Sequence, residues 1–191
     1  RYLNLSTNRA PGTPGYVPDL PQGGVAGTTS DRVVILWAAF GRNGPIGPPF
    51  DLGRTATHEV GHYLGLYHTF DGGCASPSNC YNNGDLICDT NPEFEENFFP
   101  CTPVSCGSPD PTHNYMDYSD DVCMNQFTLD QAHRMRCTLA NFRVDLADAS
   151  LPGSASSPAP NNGASGVSVD ADLGWSAGSG AASHDIYLGT N

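Results

Sequence analysis

Apolar and polar positions along the 191-residue chain predict short strands and two helices, separated by long irregular stretches. The continuous apolar run RVVILWAAF, from Arg32 to Phe40, is rich in β-branched residues and predicts a buried strand. YLNL near the start predicts another strand, and residues 54–64 predict a helix. A second helix begins at Thr128, where Thr128 and Gln131 form a capping box. Its apolar residues recur at helical spacing: Leu129, Ala132, Met135, Leu139 and Phe142.

The seven cysteines lie between positions 74 and 137, in and after a stretch rich in Asn, Gly and Pro. This composition predicts irregular loops over residues 71–111. Disulfides would support such loops and imply an oxidising compartment. A second zinc cluster is the alternative, although the sequence has no C-x-x-C pair. Because the count is odd, at least one cysteine stays free or pairs outside the chain.

The chain is acidic, with 20 Asp and Glu against 8 Lys and Arg and a net charge of −12. This charge argues against nucleic acid and anionic membranes as partners. It suits a protein that holds calcium, although a solvated acidic surface explains it equally well. No apolar run approaches the ~20 residues of a membrane span. The sequence starts at Arg1 without a signal peptide, so a targeting segment would lie outside it.

The composition changes after residue 149. Residues 150–163 are rich in Ser, Pro, Ala and Gly, which predicts a linker. Residues 164–191 contain two strand-like pieces, Leu173–Ser176 and His184–Leu188, with a Gly/Ser turn between them. They resemble the opening strands of a fibronectin type III-like sandwich, with Trp175 and Tyr187 in its core. Such a sandwich needs about seven strands, so this module is expected to be incomplete.

Three of the six histidines fall within the stretch THEVGHYLGLYHTF, residues 57–70. His58 and His62 are one helical turn apart, so both imidazoles can reach one metal ion from the same face. His68 would point about 240° away from His62 on a continued helix, so it joins them only if the chain turns. Gly65 permits this turn because glycine adopts the left-handed conformation without steric cost.

Three imidazoles suit zinc, and three protein ligands leave a fourth position for water, as in catalytic sites. Glu59, next to the first histidine, is placed to take a proton from that water. The spacing H-E-x-x-H-x-x-G-x-x-H is the metzincin signature. A structural zinc site and surface histidines on a polar helix are the alternatives. Neither of them explains the positions of Glu59 and Gly65.

A second motif, HNYMDYSDDVCMNQFT, occupies residues 113–128. A tight turn carrying Met116 would make an apolar floor beneath the imidazoles, and Tyr118 could offer its phenol to an oxyanion. With HEVGHYLGLYHTF and GDLICDT, this motif resembles the pappalysin family of metzincins over roughly residues 33–142. The resemblance implies a secreted zinc endopeptidase. It implies these roles: His58, His62 and His68 on zinc, Glu59 as general base, Met116 in the Met-turn, and Tyr118 as transition-state stabiliser.

The resemblance also points to a calcium site in GDLICDT. Asp85, Asp89 and Thr90 offer the hard oxygen ligands that suit calcium, although a plain turn with solvated carboxylates is the alternative. Disulfides follow from the same resemblance: Cys101 pairs with Cys123, and Cys106 pairs with Cys80 or Cys74. Family catalytic domains have a fuller part before the zinc helix. We therefore expect the N-terminal part of this domain to be missing.

Asp121 follows Tyr118 closely, near the expected position of the metal. A carboxylate in the pocket for the side chain after the scissile bond would pair with Arg or Lys and reject acidic groups. The resemblance supports Asp121 as this residue. Alternatively, Asp120 and Asp121 are solvated or hold the loop by accepting backbone hydrogen bonds.

The sequence therefore predicts an α+β zincin domain over residues 1–149, with a cleft between a sheet-containing upper part and an irregular, disulfide-tied lower part. Protein or peptide substrates would be its partners. Water would attack a peptide carbonyl, with Glu59 moving the proton and Tyr118 stabilising the oxyanion. One rival is a non-catalytic metal-tied binding module, which would need neither residue. Another is an enzyme of the same fold with a non-peptide substrate.

Overall fold

The structure is a computed structural model that describes residues 3–9, 12–98, 101–147, 156–168 and 170–178. The chain divides into two compact units, Arg1–Ala147 and Asp148–Asn191. Among the described residues, none of the helices combines the length and apolarity needed to span a membrane.

A small mixed sheet forms the upper part of the first unit. Strand β1 (Leu5–Asn8) runs parallel to β3 (Val33–Leu36), and β2 (Gly15–Tyr16) pairs antiparallel on the other side of β3. Strand β3 is central because its side chains are apolar on both faces, so it can be buried between neighbours. Val33 and Ile35 are fully buried.

Both predicted strands of this sheet were misplaced at their ends. YLNL overlaps β1 only at its last residue, because pairing starts where Leu5 lies opposite Val33. The run from Arg32 to Phe40 is strand only as far as Leu36, after which Trp37–Ala39 forms a 3-10 helix. Trp37 and Phe40 are half exposed, so the apolar run does not form one continuous buried strand.

Helix α1 (Arg54–Tyr63) packs on the sheet and ends within one residue of its predicted boundary. The core between them contains Val33, Ile35, Ala39 and Tyr63, with Ala56 and Val60 of α1 packed against it. Periodic apolar residues on one face of α1 are therefore buried by the sheet, whereas its histidines face the lower part.

The lower part is mostly irregular apart from the helix that begins after Thr128. It contains a 3-10 helix (Pro77–Asn79), the hairpin β4 (Val104–Ser105) with β5 (Ser108–Pro109), helix α2 (Leu129–Asn141) and the short α3 (Val144–Ala147). A second core contains Leu66, Ile87 and Met116, with Phe127 and Met135 packed against it. The histidines predicted to line the cleft lie between this second core and the first core, which α1 forms with the sheet.

The capping box of α2 is confirmed, since Gln131 N donates to Thr128 Oγ1 at 3.2 Å and Thr128 N donates to Gln131 Oε1 at 2.9 Å. The predicted apolar face is only partly buried. Leu129 is exposed, Phe142 caps the C-terminus and is half exposed, and the fully buried positions are Gln131 and Thr138. Polar contacts therefore hold this helix as much as apolar packing does.

Arg143, just after α2, ties the lower part to the upper core. Its Nε donates to Tyr63 O at 2.8 Å, its Nη1 pairs with Asp31, and its guanidinium lies 3.4 Å from the Tyr63 ring centroid. Arg143 and Asp31 are both buried, so removing either charge would leave the other without its partner in a desolvated position.

Three disulfides support the irregular loops, as the cysteine content predicted. The predicted Cys101–Cys123 bond is confirmed. Of the two predicted partners for Cys106, Cys74 is correct and Cys80 is wrong, because Cys80 closes a short loop with Cys88. Cys137 is free and exposed on α2.

Among the described residues of the second unit, β6 (Ser156–Ala159) pairs antiparallel with β7 (Gly174–Ser176). Strand β7 covers all but the first residue of the predicted strand Leu173–Ser176, whereas β6 lies inside the predicted linker. Its Ser- and Pro-containing sequence has low strand propensity, and it is extended because β7 supplies the hydrogen bonds. Trp175, predicted as a core residue, is 41% exposed. The predicted strand His184–Leu188, with Tyr187, lies outside the described residues.

Candidate active site

Three imidazoles converge between the two cores. His58 and His62 project from α1, and His68 comes from the segment that follows. His62 Nε2 lies 3.1 Å from His58 Nε2 and 3.0 Å from His68 Nε2. Among the described residues, these three histidines form a group whose ligand atoms lie close enough together to share one metal ion.

The turn predicted at Gly65 brings His68 to the other two. Gly65 has a φ of +91°, its N–H donates to His62 O at 2.8 Å, and Leu66 N donates to Gly61 O at 3.0 Å. These two bonds are the Schellman arrangement that satisfies carbonyls at a helix end. Leu66 is buried in the second core, which fixes the direction of the chain towards His68.

The outer nitrogens of the imidazoles bond to the protein. His58 Nδ1 lies 2.7 Å from Tyr115 O, and His62 Nδ1 lies 2.8 Å from Leu66 O. A carbonyl can only accept, so each Nδ1 carries the proton and each Nε2 presents a lone pair. Such outer partners orient histidine ligands at metal sites. The Asp71 carboxylate lies 3.8 Å from His68 Nδ1 and accepts from the His68 amide.

The histidine cluster fits a zinc ion. Burial, reinforced by the neighbouring imidazoles, lowers the pKa of His58 well below its usual value and that of His62 to about 4. Both rings are therefore neutral at pH 7, the form that binds metal. Converging lone pairs repel one another unless a cation lies between them. This donor set suits zinc, with a fourth position left for water.

Glu59, the candidate base, is buried beside the histidines. Burial raises the pKa of its carboxyl to about 8. Strand β2 passes so close that a Cβ on Gly15 would lie 2.7 Å from Glu59 Cγ and 2.9 Å from Glu59 Oε1. Glycine at this position is therefore needed for the sheet to cover Glu59. Sequence reasoning missed Gly15 because its requirement comes from a residue far along the chain.

Met116, the candidate Met-turn residue, lies under α1 and is fully buried. Its amide donates to Asn114 Oδ1 at 2.9 Å, and its carbonyl accepts from Thr69 N at 3.2 Å. Asn114 is in turn held by two amide hydrogen bonds with Gln131, at 2.8 and 3.1 Å. The backbone of Met116 is therefore fixed from both sides.

Tyr118 borders the histidines from the cleft side. Its ring centroid lies 5.5 Å from that of His58 and 4.8 Å from that of His68, and 37% of the residue is exposed. Burial raises the pKa of its hydroxyl, and the charges of Glu59, Asp71 and Glu96 raise it further. Tyr118 therefore keeps its proton at neutral pH and can donate a hydrogen bond.

Asp121 is almost completely buried and lines a cavity that the three histidines also line. Its Oδ2 accepts from Leu52 N at 2.7 Å and Arg54 N at 3.2 Å. The N-cap residue Gly53 has no side chain with which to cap α1, so Asp121 satisfies the first helical amide from a distant segment. Accepting backbone hydrogen bonds was the alternative predicted for this residue.

Of the three residues predicted to bind calcium, Asp85 and Thr90 contact each other, whereas Asp89 contacts α2. Asp85 Oδ2 accepts from Thr90 Oγ1 at 2.8 Å, and Thr90 Oγ1 also lies 3.2 Å from Ile87 O. Burial raises the pKa of Asp85 to about 6. Asp89 directs its carboxylate to a different element, where it accepts from Asp130 N at the start of α2.

A network of buried carboxyl groups beneath the cleft was missed from the sequence. Glu93, fully buried, accepts from Thr69 Oγ1 at 2.8 Å, and Asn97 Nδ2 bridges Glu93 to Asp110. Burial, followed by the charge of Asp117, raises the pKa of Glu93 to about 8. The sequence around Glu93 resembles a solvated acidic loop, so it carried no signal of this burial.

A cavity of about 650 Å³ opens along the histidines. It brings together six of the predicted residues, but not Met116 or the residues predicted to bind calcium: His58, Glu59, His62, His68, Tyr118 and Asp121. Its ionisable lining contains five carboxyl residues and one arginine in addition to the histidines: Asp19, Glu59, Asp71, Asp117, Asp121 and Arg54. The arrangement combines a zinc-binding set, a buried carboxyl group and a phenol on one concave surface. Such a combination can activate water and stabilise a developing oxyanion.

Comparison with known proteins assigns the chain to a family. The sequence model of the pregnancy-associated plasma protein-A peptidase family matches residues 16–140. The chain belongs to the pappalysin family. The matched pappalysin region contains the histidine motif, the Met116 segment and nearly all of α2. The predicted family resemblance is therefore confirmed.

Relatives and solved structures agree with this assignment. Extracellular metalloprotease 1 of Coccidioides posadasii is 42% identical over 146 residues, covering 75% of this chain and 46% of that protein. An extracellular metalloprotease of Colletotrichum graminicola is 41% identical over 152 residues, covering 75% and 52%. Mature mirolysin of Tannerella forsythia, in complex with a cleaved peptide, is 38% identical with a TM-score of 0.58, covering 73% of this chain and 52% of that one.

This pappalysin chain therefore spans about half the length of the curated relatives it matches. The mirolysin match supports the predicted mixed helix and sheet architecture of a metzincin-like catalytic domain. The names of the relatives confirm the predicted extracellular location.

Proposed function

We propose that the protein is an extracellular zinc endopeptidase whose catalytic centre consists of His58, His62, His68, Glu59 and Tyr118. The convergence of three Nε2 atoms beside a buried glutamate, on a cavity large enough for a peptide, carries this proposal. The cleaved peptide bound by the related mirolysin supports a peptide as substrate.

The histidines would hold zinc, which supplies Lewis acidity to polarise a carbonyl and lower the pKa of water. Glu59 takes a proton from the attacking water and passes it to the amine that leaves. A cation nearby favours the carboxylate form that this step needs, against the effect of burial. Tyr118 donates its hydroxyl hydrogen to the oxyanion, and Met116 supports the imidazoles from below.

Substitution of Glu59 tests the proposed base. Glu59→Gln keeps the size of the side chain, so the protein should retain zinc and its melting temperature. Turnover should fall by about 10²-fold or more, because general base catalysis contributes about 10²–10⁴-fold. A Glu59→Gln protein with bound zinc and wild-type turnover of a protein substrate would refute the role. Zinc binding by a wild type that cleaves no peptide would instead favour a metal-tied binding module.

We propose a preference for Arg or Lys after the scissile bond, with Asp121 as the selecting carboxylate. The acidic lining of the cavity, which includes Asp121, supports this preference. Asp121→Asn is the appropriate variant, because the amide oxygen can still accept from Leu52 N and Arg54 N. Cleavage sites in a peptide library would be mapped at high salt, which screens long-range attraction. An unchanged basic preference in the variant would exclude Asp121 as the selector.

We propose structural calcium at Asp85 and Thr90, supported by the clustering of their oxygens with Ile87 O. Carboxylate, hydroxyl and carbonyl oxygens are ligands that calcium accepts. Calcium should raise the melting temperature of the wild type and have less effect on Asp85→Asn. Asp89→Asn is the matched control, because that carboxylate bonds to α2. An equal calcium response in wild type and Asp85→Asn would contradict the site.

We also propose that residues 164–191 begin a fibronectin type III-like module after the catalytic unit. The boundary between compact units after Ala147 and the β6–β7 pair support a separate module. Limited proteolysis of the protein should cut first between Ala147 and β6, where the two compact units meet along the chain. A first cut within α2 would argue against this division.

A further inference from the structure

Three aromatic rings form a continuous wall beside the histidines. Phe70 stacks on His68, with centroids 4.7 Å apart and planes 9° from parallel. Tyr118 meets Phe70 edge-on at 5.0 Å, and Phe98 lies 6.0 Å from Tyr118. The wall therefore runs outward from the candidate zinc site to residue 98. We define Phe70, Tyr118 and Phe98 as the aromatic wall.

The outer part of the aromatic wall is open to solvent. Phe98 is 48% exposed and Tyr118 is 37% exposed, and both line the cavity. Single exposed phenylalanines are common on protein surfaces, so exposure alone means little. Phe98 differs because its exposed ring continues a concave surface next to the reacting groups. Phe94, on the same loop, is 63% exposed but does not line the cavity.

The aromatic wall and Asp121 make separate contacts around the histidines. Asp121 accepts hydrogen bonds from backbone amides at the start of α1. The aromatic wall contacts His68, and Tyr118 also lies 5.5 Å from His58. Phe98 is half exposed at the outer end of the wall whereas Asp121 is buried, so the two residues can act on different substrate side chains.

We propose that the aromatic wall is a substrate subsite for an aromatic or large aliphatic side chain, with Phe98 as its specificity-determining residue. This inference rests on the proposed endopeptidase function. An apolar side chain placed there covers the exposed faces of Phe98 and Tyr118 and gains offset or edge-on ring contacts. The Tyr118 hydroxyl remains available for the oxyanion, since the subsite uses the ring.

Charges near the aromatic wall exclude acidic side chains from it. Glu96 and Asp71 both act electrostatically on the Tyr118 hydroxyl, and the net charge of the chain is −12. A glutamate or aspartate of the substrate would meet like charges there and lose hydration without a partner. The subsite therefore selects for apolar and against acidic side chains.

The test compares the zinc-loaded wild type with Phe98→Ala, Phe98→Leu and the matched control Phe94→Ala. For each position around the cut, a peptide with Phe or Leu is compared with the same peptide carrying Ser at that position. The ratio of their kcat/KM values measures the preference. We expect one position to favour Phe or Leu in the wild type. Phe98→Ala should reduce that ratio about tenfold, mainly through KM, while Phe98→Leu and Phe94→Ala keep most of it. Melting temperature and zinc content verify folding.

A binding measurement separates failure of the subsite from failure of the proposed function. Two zinc-loaded proteins, Glu59→Gln and Glu59→Gln/Phe98→Ala, would be titrated with a fluorescent peptide that carries the favoured residue. If the wild type cleaves no peptide, an equimolar mixture of Phe-containing fluorescent peptides takes its place. Weaker binding with Phe98→Ala supports the subsite even if the wild type cleaves nothing, an outcome that would overturn only the proposed function. Cleavage by the wild type with an unchanged preference and unchanged binding in Phe98→Ala would overturn the subsite and leave the function standing.

Discussion

Gly61 in α1 lies directly over Met116, and its replacement by alanine tests how tightly the helix and the Met-turn are packed. A Cβ at this position would overlap Met116 Sδ and lie 3.3 Å from Met116 Cε and 3.4 Å from Phe127 Cε1. Met116 is fully buried, so its sulfur can move away only by displacing other side chains of the second core.

Two opposing effects determine the stability of Gly61→Ala. In an open helix, alanine would stabilise by about 1 kcal/mol relative to glycine. Inserting a methyl group into a filled core costs about 1–3 kcal/mol, and the overlap with Met116 Sδ places this case at the upper end. We expect net destabilisation of about 1–2 kcal/mol, or about 2–8 °C in Tm for a unit of this size.

The assay is a double-mutant cycle with Met116→Ala, followed by urea unfolding and zinc titration. Met116→Ala leaves space that the alanine methyl can enter, so the double variant should be more stable than the sum of the single effects by about 1 kcal/mol or more. Gly61→Ala alone should also weaken zinc binding, because Gly61 precedes the candidate ligand His62 in α1 and a shift of the helix moves that imidazole. A stabilised Gly61→Ala with additive energies in the cycle would refute this account of the packing.

Two further predictions concern stability. The pKa of Glu93 is raised in the folded state, so its stabilising contribution is complete below about pH 4.5 and declines as the pH rises to about 8. Glu93→Gln should flatten the fall of unfolding free energy between pH 5 and 8, and an equal slope in both proteins by urea titration would contradict this. Removing the Cys101–Cys123 bond as a serine pair should cost about 3.4 kcal/mol, against about 2.6 kcal/mol for Cys80–Cys88, from their loop lengths. Equal or reversed losses would contradict the loop-entropy argument.

Features that depend on neighbours along the chain were predictable from sequence. The spacing of His58 and His62, the turn at Gly65 and the capping box at Thr128 all involve residues within one or two helical turns. Helix geometry determines such positions, so the bounds of α1 agreed within one residue. The odd cysteine count correctly required a free or externally paired cysteine.

Tertiary structure decided the features that depend on distant segments. The partner of Cys106, the ends of β1 and β3, and the pairing of β6 follow from which segments meet, and local propensity does not encode this. Gly15 is needed only because β2 crosses Glu59, and Asp121 caps α1 from 67 residues away. The burial of Glu93 and the alignment of Phe98 with Tyr118 arise in the same way. A loop residue of a given type is solvated or buried depending on which segments pack over it. Only the tertiary structure determines which segments those are.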